Sequence, residues 1–176
     1  MGQEVDPAPN KFAAIQGIID RKLPKHVREN RRRIAANYLV RGSGLEIGAF
    51  HTPLELPPGV ATRYVDRRSV ADHIAQFPEL DPNDLVPVDI LDDGETLASI
   101  GADSVDFIIA SHMLEHCENP LGTVRAHLSK IRQGGWLFYV VPDKRNSFDV
   151  DRPLTPFEHL VGDDADHGEA PASPIT

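Results

Sequence analysis

Four stretches of the 176-residue chain carry side chains suited to binding or proton transfer. Glu46, Gly48 and Ala49 close the run SGLEIGAF, and Asp66 and Arg67 follow the apolar part of ATRYVD. Asp89 and Ile90 end LVPVDI, while Ser111, His112 and His116 follow SVDFIIA. A carboxylate can accept ligand hydroxyls, and a glycine lets a ligand approach the backbone closely. A histidine can move a proton near neutral pH. Each of these residues taken singly suits an ordinary solvated loop. Their shared position, just after a run of apolar branched residues, is what points to a site.

The elements that must hold them read as strands. The runs are GLEIGAF, ATRYVD (Ala61 to Asp66), LVPVDI (Leu85 to Ile90), SVDFIIASH (Ser104 to His112) and GGWLFYVVPD (Gly134 to Asp143). The last two are almost continuously apolar, as parallel strands buried on both faces are. Between them Leu121, Val124, Leu128 and Ile131 recur at helical spacing. Asn119 is placed to cap that helix, Pro120 to open it and Gly134 to end it. SVADHIAQF and GETLASI are shorter helical candidates. Strands alternating with helices predict an α/β sheet with right-handed crossovers, whose ligands bind at the carboxyl ends of the strands. Residues 1–10 are expected to be mobile, 11–41 to form a helical extension split at Pro24, 42–161 to form the α/β domain, and 162–176 to be a disordered tail. In the extension Ile34, Tyr38 and Leu39 are expected to face inward.

The glycines narrow the ligand. A dinucleotide loop needs G-x-G-x-x-G opening a helix after the strand. Gly42, Gly44 and Gly48 have a different spacing, two of them precede the strand, and no G-K-[ST] follows. Asp66 lies 18 residues beyond Gly48, close to the roughly 20 at which an acid meets a ribose in nucleotide-binding sheets. The ligand so described has a ribose and no phosphate chain; S-adenosylmethionine (SAM) meets that description.

On these residues the chain resembles the class I SAM-dependent methyltransferases, and within them the broad type 11 branch. The match runs through LEIGAF (Leu45 to Phe50), YVD (Tyr64 to Asp66), VDILDD (Val88 to Asp93), SVDFIIASHMLEHCENP (Ser104 to Pro120) and LSKIRQGGWLFYVVPD (Leu128 to Asp143). The resemblance implies a Rossmann-like parallel sheet of about five strands in the order 3-2-1-4-5 with flanking helices. It implies SAM as cofactor, with Glu46 and Gly48 beside its methionine part, Asp66 at the ribose, Asp89 and Ile90 at the adenine, and Ala49, Arg67 and Ser111 among the cofactor-binding residues. His112 and His116 lie on the expected acceptor side as candidate bases. DKRNSFDVDRPLTPFEHL resembles a loop of family members associated with cell-surface sugars, so a small-molecule, sugar-related acceptor is expected.

Two departures from the family follow. The 13 residues from Gly48 to Val60 carry Pro53, Pro57 and Pro58, which leaves no room for a full first helix. No alternating run follows Asp143, so the C-terminal antiparallel hairpin of the family is expected to be missing. The sheet then looks truncated, its fifth strand an open edge inviting homo-oligomerisation. A truncated, non-catalytic binding or interaction module is the alternative to an active enzyme; a nicotinamide enzyme is disfavoured by the glycine spacing.

His112 to His116 also spells H-x-x-E-H, a zinc-protease pattern. Pro120 leaves barely a helix to hold the two ligands and no third one is placed, so no metal is expected. Residues 1–41 carry a net +5 and the remainder −14, giving the overall −9. The basic cluster Arg21 to Arg33 suits a solvated helix face, and the acidic body argues against nucleic acid. No apolar run reaches membrane-spanning length, and a lone cysteine, Cys117, suits a reducing, cytoplasmic setting.

Overall fold

The computed structural model describes residues 31–147 and 150–166. The expected mobile start, the first helix of the extension and residues 167–176 of the tail lie outside the described residues. The chain order is α1 (Arg31–Leu39), β1 (Ser43–Ile47), β2 (Ala61–Asp66), α2 (Val70–Gln76), β3 (Ile90–Leu91), β4 (Val105–Ser111), α3 (Pro120–Lys130), β5 (Ile131–Val140) and α4 (Phe157–Ala165). All strand pairs are parallel, and the sheet order is 3-2-1-4-5.

Both faces of the central strands are covered, which is why they read as continuous apolar runs. Leu45, Ile47, Val65, Ile108 and Ala110 bury into one cluster. Phe107 and Ile109, alternating with Ile108 and Ala110, bury into a second with Ala36 of α1 and Val40 just after it. The α1 segment therefore turns Ala36 and Val40 inward. Tyr38, expected inside, is 81% exposed and Ile34 is also exposed, because the approach to β4 and β5 favours the small side chain at 36.

Three elements differ from expectation. The third strand has only two residues and begins after Asp89, whose N–H donates to Tyr64 O and whose carboxylate accepts from Tyr64 N–H. Pro87 cannot donate to a ladder, which keeps the preceding segment out of the sheet. GETLASI is a series of turns: Asp93 accepts from the amides of Glu95 and Thr96, and Asp92 from Ser99, so side chains displace helical hydrogen bonds. Helix α3 stops at Lys130 rather than Gly134 because the Ser129 and Lys130 carbonyls accept from Asp103 and Ser104. The chain turns directly into β5, where Val105 pairs with Ile131 but Phe107 with Trp136, leaving a bulge in which Gly134 sits at φ +84°.

The link from Gly48 to Val60 contains no helix. It is held by the Glu46 carboxylate, which accepts from Leu54 N–H at 2.9 and 3.2 Å, and by an Arg33–Glu55 ion pair. At the other end α4 continues to Ala165, into the stretch expected to be disordered, and is tied to α3 by an Arg125–Asp164 ion pair. No helix among the described residues is long and apolar enough to cross a membrane.

Candidate nucleoside site

The carboxyl ends of β1 and β2 meet at one point. Gly48 N–H donates to Val65 O at 2.9 Å, bringing the residue after β1 alongside the end of β2. Gly48 holds φ +63°, and a Cβ built there meets nothing within 4 Å. The backbone thus faces open space in a conformation that glycine adopts without strain. Next to it Phe50 takes φ +53°, a left-handed conformation that costs a bulky residue about 1–3 kcal/mol. Its carbonyl accepts from Val86 N–H at 2.9 Å, which draws the segment before β3 across the strand ends.

Between these pieces lies a small recess, open to solvent, whose walls include Ala49, Phe50, Tyr64, Asp66, His73 and Val86. Asp66 uses one oxygen to accept from Arg68 N–H at 2.9 Å. Its other oxygen lies 3.1 Å from His73 Nε2. The angle of that contact falls outside hydrogen-bond geometry, and both buried ring nitrogens of His73 lack a hydrogen-bond partner. His73 is placed there by local sequence. Ser69 caps α2 and exchanges hydrogen bonds with Asp72 three residues on, a capping box that turns the next residue toward β2.

Of the ten residues anticipated, Ala49 and Asp66 line the recess, and Gly48 stands beside it. Glu46 lies one turn of the pleat back, 2% exposed, with its carboxyl pKa raised by burial against the opposing pull of the Leu54 amide and Arg32. Arg67 points into solvent. Asp89 spends its carboxylate on the Tyr64 amide, and Ile90 packs against the core. Ser111 is half-buried at the end of β4. His112 follows at φ +55°, exposed, with Nδ1 3.3 Å from Glu115 Oε1. His116 is exposed in a single 3-10 turn, Leu114–His116. Among the described residues no three potential ligands cluster to hold a metal ion. Cys117 is half-buried, its thiol pushed up to about 11 chiefly by desolvation.

Sequence reasoning passed over Phe50, Tyr64, Val86 and His73. The last was within reach: Ser69 and Asp72 spell the capping box that fixes where His73 faces. Phe50 had no comparable signal, because its position follows from the missing helix.

A parallel sheet of order 3-2-1-4-5 with helices on both faces and a recess at the ends of its first two strands is a Rossmann-like α/β fold. A methyltransferase-domain family model matches residues 19–169, and the chain belongs to that family. Among solved structures it is similar to the plantazolicin methyltransferase BpumL, in complex with a pentazolic desmethylPZN analogue and SAH (14% identity, TM-score 0.51, 92% of this chain and 65% of that one). It is also similar to a SAM-dependent methyltransferase from Aquifex aeolicus (14%, TM-score 0.49, 89% and 87%). A third is the Haloferax volcanii protein in complex with the Trm112 methyltransferase activator (17%, TM-score 0.47, 74% and 57%). The chain thus spans little more than half of the Haloferax volcanii protein and 65% of BpumL. At these identities the similarity concerns the fold. No match was found among curated protein sequences. None of these similarities bears on the sugar-related acceptor expected from residues 143–160.

Proposed function

We propose that this chain is a SAM-dependent methyltransferase acting on a small-molecule acceptor in the cytoplasm. The observation that carries the reading is the recess itself: an acid at the end of β2, an open left-handed glycine at the end of β1, and buried imidazole nitrogens that make no hydrogen bond within the chain. That donor set suits a ribonucleoside. Asp66 accepts hydroxyl hydrogens, Gly48 permits close approach, and Ala49, Val86 and Tyr64 supply apolar walls. Glu46, buried and accepting from the Leu54 N–H, is a fitting partner for an amino group at the far end of the ligand.

SAM, when bound, supplies a methyl group on a sulfonium sulfur. The work left to the chain is orientation, which can contribute on the order of 7–11 kcal/mol in well-aligned reactions. His112 stands at the end of β4, where an acceptor would enter. With Nδ1 turned toward Glu115, its Nε2 remains available to take a proton from an acceptor hydroxyl or amine. Ser111 supports that strand end. His116, in its own turn, serves as an alternative base.

The outer edge of β5 lacks a strand partner among the described residues, which favours self-association through it. A second reading, a non-catalytic binding module, draws support from the absent helix after β1. Calorimetric titration with SAM and S-adenosylhomocysteine, with NADH as control, tests the shared core of both readings. Submicromolar to micromolar binding of the first two and none of NADH is expected. Binding of NADH alone would overturn the assignment. Transfer of labelled methyl across an acceptor panel then separates enzyme from module.

A further inference from the structure

We propose that His73 selects for the ribose: its Nε2–H and the Asp66 carboxylate together hold one ribose hydroxyl, so that the site discriminates a ribonucleoside from its deoxy counterpart. This rests on the SAM reading and deepens it.

Three observations converge. His73 is nine-tenths buried, lines the recess, and has no hydrogen bond to either ring nitrogen. Leaving such a group unsatisfied is costly, so a native fold that keeps it has a use for it. Its Nε2 lies 3.1 Å from Asp66 Oδ2 without hydrogen-bond alignment. The two atoms are misaligned for each other but close enough for one oxygen to reach both at about 2.8 Å. The carboxylate beside Nε2 favours the tautomer with its hydrogen there, making one partner a donor and the other an acceptor. A hydroxyl is both, so a single hydroxyl answers the pair, accepting from His73 and donating to Asp66. A methylene in its place answers neither.

The third observation explains how a ligand reaches the nitrogens. The Phe50 ring stands 4.8 Å from the His73 ring, centroid to centroid, and covers it. Phe50 is also the residue strained at φ +53°. The left-handed Phe50 and the His73 ring thus lie in contact on the wall of the same recess, and a ligand reaches the ring nitrogens by displacing Phe50. The discrimination is expected to be large, because a site built to bond a hydroxyl is left with buried unpaired groups when the hydroxyl is missing.

The test uses the full chain and three probes: S-adenosylhomocysteine and its 2′-deoxy and 3′-deoxy analogues. Dissociation constants are measured by calorimetry for the parent, His73→Phe and His73→Gln, with melting temperatures of the unliganded proteins. The parent should bind one deoxy analogue at least tenfold more weakly than S-adenosylhomocysteine. His73→Phe should lose about that factor for S-adenosylhomocysteine and little for the same deoxy analogue. His73→Gln, which keeps a donor, should recover part of the loss. Unliganded His73→Phe should melt no lower than the parent, since it removes an unsatisfied polar group from an apolar contact.

Equal losses by His73→Phe for all three probes would reduce His73 to a structural residue and overturn the proposal, as would unchanged binding of S-adenosylhomocysteine. Both outcomes leave the SAM reading standing. A parent that binds none of the probes would remove the SAM reading and this proposal with it.

Discussion

The Tyr139 hydroxyl lies 2.6 Å from His127 Nδ1, while Nε2 of the same ring lies 2.7 Å from Gly94 O. A carbonyl can only accept, so Nε2 carries the hydrogen and Nδ1 accepts from the tyrosine. The fully buried, neutral imidazole thereby joins α3, β5 and the loop that leaves β3. Burial holds its pKa below the ordinary value of 6.5, against the raising effects of the Gly94 hydrogen bond and Glu95.

The sign of the pH effect follows. The unfolded chain binds this proton more readily than the folded one, so stability is lost as pH falls through and below 6.5. The parent is expected to melt at a lower temperature at pH 5.5 than at pH 7.5. His127→Gln should melt several degrees lower at pH 7.5, consistent with about 1–3 kcal/mol for a broken buried pair. Its further drop to pH 5.5 should be smaller than the parent's. Scanning calorimetry at the two pH values checks this, and an unchanged pH dependence would remove His127 as its source.

Glu46 has the opposite sense. Burial raises its pKa above 4.5, so the folded chain holds the proton more tightly and stability declines as pH rises through that raised value. Glu46→Gln keeps an acceptor for the Leu54 amide and removes the buried charge. It should melt no lower than the parent at pH 8, with an advantage that grows as pH rises from about 4.5. If the carboxylate partners a ligand amino group, the same variant should bind S-adenosylhomocysteine at least tenfold more weakly. Thermal melts across pH and one titration separate the two roles.

Asp66→Ala should weaken SAM binding by more than tenfold, about 1.4 kcal/mol or more, while the fold persists. Asp66 is half-buried at a strand end, and within the chain the variant loses the Arg68 amide hydrogen bond and the contact with His73 Nε2. Calorimetry against circular dichroism decides it: parent-like binding by a folded variant would take Asp66 out of the site.

What the sequence made legible was whatever depends on local pattern. The apolar runs of β1, β2 and β4 and the Asn119 cap follow from residue type and spacing. Less legible was what depends on tertiary competition. The third strand shrank because Asp89 bonds Tyr64 from outside the ladder, and α3 ended early because Asp103 and Ser104 take its last carbonyls. The candidate site divides the same way. Asp66 and Gly48 were placed by strand ends and His73 was readable from its Ser69–Asp72 capping box, whereas Phe50 entered through a helix-free loop held by Glu46, which residue types alone do not announce.

The edge of the sheet supplies the last expectation. Strand β5 runs ten residues, Ile131–Val140, and among the described residues pairs with β4 alone. Trp136 to Val140 are half-buried, and Val141 beyond them is 54% exposed. Helix α4 packs against α3 through Arg125 and Asp164 and leaves its own Phe157 and Val161 exposed. An apolar strand with unpaired amides and carbonyls is a template for pairing, and natural edges are protected by charge, lysine above all. The chain should therefore self-associate at micromolar concentration, and Val141→Lys should shift it toward monomer without lowering the melting temperature by more than a few degrees. Multi-angle light scattering over a concentration series is the measurement. A parent that stays monomeric throughout would mean that the edge is protected without a second copy.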